Sequence, residues 1–221
     1  MPRAILFDLD DTLLDRHGTL LRFLPGQYKR FSSLRAVPQQ VYMDCFMRLD
    51  RHGATPRLQL YKHLVKELGL AMPGHRLHID FLRYGWSLCR LCPGARELLA
   101  HLRADGWRIG CVTNGAVNYQ MRKLSSSGLV EYFDSVVIAE EVGVRKPDPQ
   151  IFQVALNRIG STAAETLFVG DNPLADIQGA RAAGMRTIWI PSHHPWPQET
   201  CAAPDHQVTA LDSILSCCDQ L

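Results

Sequence analysis

The sequence predicts an α/β fold: a doubly wound parallel sheet core with an inserted all-helical domain. Three observations predict it. Apolar runs of strand length alternate with amphipathic segments from about residue 93 onward. Between Asp15 and Leu91 that alternation is absent, and apolar residues fall at helical spacing instead. The charge divides at the same borders: Arg16 to Arg90 holds thirteen Lys and Arg against four Asp and Glu, and the rest of the chain eleven against eighteen. The expected boundaries are residues 1–15 and 92–221 for the core and 16–91 for the helical insertion, or cap.

Arg3 to Leu9 is a short apolar run ending in acid, which reads as a buried parallel strand. In the insertion, "PQQVYMDCFMRLDRHG" and "PRLQLYKHLVKELGL" carry apolar residues at helical spacing, such as Leu60, Leu64, Val65 and Leu68, with Gly53 and Gly69 where helices stop. After Pro93-Gly94, "ARELLAHLRADG" is an amphipathic helix and "WRIGCVTNG" a strand ending at a polar turn. "VNYQMRKLSSSG" is a helix and "FDSVVIAEE" carries a strand. "DPQIFQVALNRIG" is a helix N-capped by Asp148. "TAAETLFVGDN" opens on a capping box, Thr162 to Glu165, and continues as a strand. "PLADIQGARAAG" is a helix starting at Pro173, and "MRTIWI" is a strand. Pro191 to Gln207 reads as a long loop, and "LDSILSCC" as a closing helix.

The chain has 221 residues, 46% of them apolar, with 21% charged, which suits a packed globular protein. No stretch is long and apolar enough to span a membrane, and the start has no signal-like apolar segment, so a cytoplasmic protein is expected. Seven cysteines in a chain of this size are expected as reduced thiols. Cys89 and Cys92 form a CxxC pair downstream of His75 and His78. Without a second CxxC, the pair reads as two thiols beside the Pro93-Gly94 turn, not as a zinc site.

In open parallel sheets ligands bind at the carboxyl ends of the strands. There the first strand presents Asp8, Asp10 and Thr12, and the second Thr113 and Asn114. The loop "VRKPDP" presents Lys146, and a later strand presents Asp171 with Asp176 close behind. Alone, such carboxylates repel and raise each other's pKa values. A divalent cation reverses that. Hard oxygen ligands in this number suit Mg²⁺, which keeps coordination sites for water and a substrate phosphate, and Lys146 adds one more positive charge. Asp8 and Asp10, at i and i+2, can project to one side of a strand. One can attack phosphorus while the other handles the proton of the leaving alcohol and of the incoming water.

"DLDDT" at 8–12, "TN" at 113–114, "RKPDP" at 145–149 and "GDNPLAD" at 170–176, in this order, resemble the four motifs of the haloacid dehalogenase-like hydrolase superfamily. The likeness covers residue 3 to about 190. It implies a Rossmann-like core and a Mg²⁺ cofactor, with Asp8 as nucleophile and Asp10 as acid and base. It further implies that the Asp10 backbone carbonyl also ligates the metal and that Thr113, Asn114 and Lys146 hold phosphoryl oxygens. Asp171 is implied as a metal ligand and Asp176 as its support. The helical insertion after the first motif resembles the cap of phosphoglycolate phosphatase-like and nucleotidase-like members.

The expected activity is therefore hydrolysis of the phosphate monoester of a small metabolite through an aspartyl-phosphate on Asp8. Within the superfamily the alternatives are a 2-haloacid dehalogenase and a phosphomutase, and dehalogenases usually lack the counterpart of Asp10. Outside it, the alternative is a phosphoacceptor signalling domain, which stops after one equivalent.

Asp11 and Thr12 are read as serving the acidic loop, and Asn172 as shaping its loop or touching the metal shell. His193 and His194 are read as solvent-facing. The basic cap points to a substrate with charge beyond its phosphate, with Arg22, Arg48, Arg51 and Arg57 as candidate contacts. A nucleic-acid partner is not expected for a chain of net charge +2. The protein is expected as a monomer or a homodimer, the latter if the loop around Trp196 buries itself in a second copy.

Overall fold

The computed structural model describes residues 4–197 and 202–218, so Arg3, Cys201 and part of the Pro-rich stretch lie outside the described residues. The chain forms two compact units. One combines the residues up to Asp15 with those from Arg90 onward, and the other is Arg16–Cys89.

The first unit is built on a six-stranded parallel sheet in the order β3-β2-β1-β4-β5-β6. Its strands are β1 (Ala4–Phe7), β2 (Arg108–Thr113), β3 (Ser135–Ile138), β4 (Thr166–Gly170), β5 (Arg186–Trp189) and β6 (His206–Gln207). Strand pleating sends alternate residues to opposite faces. Ile5 and Phe7 of β1 join Leu167 and Val169 of β4 in one buried cluster, and Ala4 and Leu6 join Phe168 in another. The β1–β4 register, Phe7 opposite Val169, aligns these faces. Because both faces are covered, the strands carry unbroken apolar runs.

Among the helices of this unit, Ala95–Ala104 and Val117–Ser127 contribute Leu98, Leu99, Leu102 and Leu124 to the first cluster. Pro149–Ile159 contributes Ile151, Phe152, Ala155, Leu156 and Ile159 to the second. Asp148 caps that helix, its carboxylate accepting from the Gln150 N–H at 2.9 Å. Gly110, on β2, lies where a Cβ would meet Leu6 at 2.5 Å, so neighbouring strands pack there only through glycine.

Three local expectations are corrected. The Thr162 hydroxyl bonds the Glu165 carboxylate at 2.9 Å and makes no capping bond to the backbone. Only a single 3-10 turn, Ala163–Glu165, follows before β4, and the Thr162 hydroxyl is taken up by the Glu165 side chain instead of that turn's backbone. The stretch after Asn172 begins as a π-helix, Pro173–Gln178, before a short α-helix, Gly179–Ala182. The Asn172 carbonyl receives the N–H of both Asp176 and Ile177 there, which widens the turn. The expected loop up to Gln207 ends in β6. Asp205 accepts from the Thr187 N–H and hydroxyl at 2.8 and 2.9 Å and ties the returning chain to the sheet edge. Trp196 packs on Trp189 of its own chain, ring centroids 4.7 Å apart.

The second unit contains four α-helices, Arg16–Arg30, Gln39–Asp50, Arg57–Glu67 and Gly74–Tyr84, with three short 3-10 segments between or after them. The Gln39–Asp50 helix ends before Gly53: Arg51 and His52 already have φ of 49° and 52°. Gln27 is fully buried and fully satisfied. Its Nε2 donates to the Leu77 carbonyl and Asp80, and its Oε1 accepts from the hydroxyls of Tyr42 and Tyr61. No helix among the described residues is long and apolar enough to cross a membrane.

Candidate active site

The sheet order reverses direction around β1: β2 and β3 lie to one side and β4 to β6 to the other. A crevice opens at the carboxyl ends of strands at such a reversal. Asp8 directly follows β1, Thr113 ends β2 and Asp171 directly follows β4. The Asp8 N–H donates to the Val169 carbonyl at 2.9 Å, which holds the two acidic strand ends side by side.

Asp8, Asp171 and Asp176 are all buried and each offers a carboxylate oxygen within 4.8 Å of the others. Lys146, also buried, places Nζ 2.5 Å from Asp8 Oδ1 and 2.7 Å from Asp176 Oδ1. Asp176 Oδ1 takes no hydrogen bond of good geometry, so its contact with Lys146 is an ion pair. Asp176 Oδ2 accepts from the Asn172 N–H at 2.9 Å. Gly170 permits this approach, since a Cβ there would stand 2.5 Å from the Asp176 carboxylate.

One lysine does not balance three buried acids. Burial raises the Asp8 carboxyl to about 7, with Asp176 and Asp10 adding to the rise and Lys146 opposing it. Burial, then Asp176 and Asp8, also push Asp171 well above the usual range. Burial works against the charge of Lys146, but Asp176 and Asp8 together outweigh it and raise its pKa. Three hard oxygen donors with this surplus of buried negative charge fit a divalent cation such as Mg²⁺.

The other expected site residues are arranged around this centre. Asn114 Nδ2 donates to the Lys146 carbonyl at 3.0 Å, and Asn114 Oδ1 accepts from the Lys146 N–H at 2.9 Å. Asn114 thus anchors the lysine's backbone. Thr12 Oγ1 lies 3.4 Å from Asp8 Oδ2. Asp11 has φ of 59°, and its N–H donates to the Leu14 carbonyl at 2.7 Å, so it shapes the acidic turn. Asn172 shapes its loop, its Oδ1 accepting from the N–H groups of Leu174 and Ala175. The Asp10 side chain is not one of the three clustered carboxylates.

A family model for haloacid dehalogenase-like hydrolases matches residues 2–184. The chain belongs to this family. It is a hydrolase that is 34% identical over 222 residues to pyrimidine 5′-nucleotidase YjjG of Escherichia coli, with 95% of either chain covered. It is 32% identical over 197 residues to glyceraldehyde 3-phosphate phosphatase of Pyrococcus abyssi, covering 86% of this chain and 82% of that protein. Among solved structures it resembles HAD-hydrolase YfnB of Bacillus subtilis bound to magnesium, with 27% identity, a TM-score of 0.81 and 98% of both chains covered.

Four further residues of this hydrolase stand at the site without having been anticipated there. Lys123 places Nζ 2.5 Å from both carboxylate oxygens of Asp10. Gln120 Nε2 donates to Thr113 Oγ1 at 2.6 Å and to Asp10 Oδ2 at 3.1 Å. Ser192 Oγ donates to Asp171 Oδ2 at 2.5 Å. His194, expected in solvent, is partly buried, with Nε2 3.4 Å from Asn172 Nδ2 and 4.0 Å from Asp171 Oδ2, because the chain after β5 passes back over the end of β4. For the first pair a signal existed. Gln120, Lys123 and Leu124 share the i, i+3, i+4 buried stripe of their helix, where two polar residues break the apolar pattern. Ser192 and His194 sit in a loop whose local sequence has no such period. Among the described residues, neither Cys89 and Cys92 nor His75 and His78 join a metal-binding cluster.

Proposed function

We propose that this hydrolase is a Mg²⁺-dependent phosphatase that cleaves the phosphate monoester of a small metabolite through an aspartyl-phosphate on Asp8. The observation that carries the reading is the buried triad of Asp8, Asp171 and Asp176 with Lys146 on Asp8. Asp8, Asp171 and the Asp10 carbonyl, supported by Asp176, would hold Mg²⁺, which supplies the positive charge that offsets both the carboxylates and the phosphoryl oxygens.

The chain's own groups then divide the work. An Asp8 carboxylate oxygen attacks phosphorus, and the bond from phosphorus to the ester oxygen breaks. Asp10 gives its proton to the departing alkoxide. A water then attacks the phosphorus of the aspartyl-phosphate and loses its proton to Asp10. The phosphorus–Asp8 bond breaks and phosphate leaves, restoring both residues. Lys146 and Thr113 hold phosphoryl oxygens. The Thr113 hydroxyl accepts from Gln120 and so keeps its own hydrogen to donate. Asn114 anchors Lys146 and directs its remaining N–H to the phosphoryl group.

The helical unit, inserted in the chain directly after the first acidic motif, acts as the cap that selects the substrate. Two of its four candidate arginines already have acidic partners within it. Arg57 pairs with Asp50, and Arg48 with Glu67. Arg22 donates to the Leu88 carbonyl at 3.2 Å and to the Thr19 hydroxyl at 3.3 Å, which leaves Arg51 as the stronger candidate for contacting additional negative charge on the substrate. Nucleoside 5′-monophosphates and glyceraldehyde 3-phosphate head the substrate list, because relatives at 32–34% identity carry those activities in their names.

The test is a screen of phosphorylated metabolites with Mg²⁺, with Asp8→Asn as the blank. The expected result is phosphate release far beyond one equivalent, reduced at least about a thousandfold in Asp8→Asn. Halide release from a 2-haloacid without phosphatase activity overturns the reading, as does release that stops at one equivalent.

A further inference from the structure

We propose that Gln120 and Lys123 are positioning residues for Asp10, setting the direction in which its carboxyl group gives and takes the proton. This rests on the phosphatase reading above and extends it to two residues outside the four motifs. Both side chains are buried, Gln120 at 2% and Lys123 at 4% exposure. Their helix, Val117–Ser127, follows directly on the β2 strand end, and the two residues are one turn apart on its buried face.

That face would pack more cheaply with leucine at either position, as it does with Leu124, since burying an ammonium costs free energy unless the charge is paired. The pairing is with Asp10. Lys123 Nζ touches both carboxylate oxygens at 2.5 Å, and Gln120 Nε2 reaches Oδ2 at 3.1 Å. Donors arriving from two side chains restrain both torsions of the short aspartate side chain. The same Gln120 amide bonds Thr113 Oγ1 at 2.6 Å, so the proton-handling carboxyl and the phosphoryl-holding hydroxyl are fixed to one group. Lys123 also lies 5.4 Å from the centre of the Tyr119 ring, which covers it from its own helix. Proton transfer depends steeply on such orientation.

The experiment uses the full chain with Mg²⁺ and two esters, glycerol 3-phosphate and 4-nitrophenyl phosphate. An alkoxide leaves only with a proton, whereas 4-nitrophenolate leaves without one. The value of kcat/KM reports steps up to the first P–O cleavage. In Lys123→Met, kcat/KM is expected to fall about thirtyfold or more for the alkyl ester and less than about threefold for the nitrophenyl ester. Gln120→Leu keeps the ion pair but also releases the Thr113 hydroxyl, so it should lower kcat/KM for both esters with the clearly larger fall for the alkyl ester, which tests the idea even if Lys123→Met folds poorly. Equal losses on both esters, or no loss on either, overturn the proposal. Asp8→Asn is assayed alongside. Turnover there defeats the phosphatase reading itself, whereas an inert Asp8→Asn with losses independent of the leaving group defeats only the positioning role.

Discussion

Asp50 in the helical unit and Asp8 in the sheet unit are both buried aspartates, yet their environments act in opposite directions. Burial pushes Asp50 up, but Arg57 and Arg16 outweigh it and hold its carboxyl below the ordinary range. Both arginines stand 2.7 Å from it, and the Gly53 N–H adds a bond at 3.0 Å. Arg57 in turn lies 4.5 Å from the centre of the Phe81 ring. Asp8 shares Lys146 with Asp176 and faces further carboxylates, so its carboxyl rises to about 7, with burial the largest cause. A buried acid that serves the fold is surrounded by enough positive charge. The acids gathered at the strand ends are left with too little, which is the arrangement a cation and an anionic substrate complete.

The sharpest way to break this comparison is to remove Asp50. Asp50→Asn leaves two largely buried guanidinium groups facing each other, and stability should drop by about 3 kcal/mol in denaturant titration. A loss under about 1 kcal/mol would mean that the paired acid is no more structural than a surface one.

A second test uses the opposite pH behaviour of the two sites. Asp50, with its lowered pKa, contributes stability above its unfolded value near 4 and loses it only as pH falls through the folded value. Asp8, raised from 3.8 to about 7, binds more protons in the folded state across that window, so its contribution falls as pH rises from about 4 to about 7. If Mg²⁺ binds at Asp8 as proposed, it must displace that proton. The increase in melting temperature on adding Mg²⁺ should therefore be several degrees larger at about pH 8 than at about pH 5.5, and Asp8→Asn should flatten the difference. An equal Mg²⁺ effect at both values would place the metal elsewhere.

The smallest effect belongs to the exposed pair of Arg48 and Glu67, with side chains 59% and 47% accessible. Arg48→Ala should change stability by no more than about 0.5 kcal/mol. It should leave KM for the phosphorylated substrate within about twofold, because this arginine is already paired with Glu67.

Much of this protein was legible in local pattern. Period and punctuation marked β1 to β5 and the longer helices, and the position of Asp8, Thr113 and Asp171 at strand ends marked the crevice. Those features depend on a few neighbouring residues and on a general property of parallel sheets, so the sequence by itself determined them. The tertiary structure alone decided how these groups pair and brought Gln120, Lys123, Ser192 and His194 in beside them. Lys123 pairs with Asp10 across 113 positions and Lys146 with Asp8 across 138, and no local period encodes a partner at such range. The same holds for β6, which exists because Asp205 finds Thr187, and for the widened turn that brings Asp176 over Gly170. Periodicity records which face of an element is buried. Only the packed chain determines which charge meets another on that face.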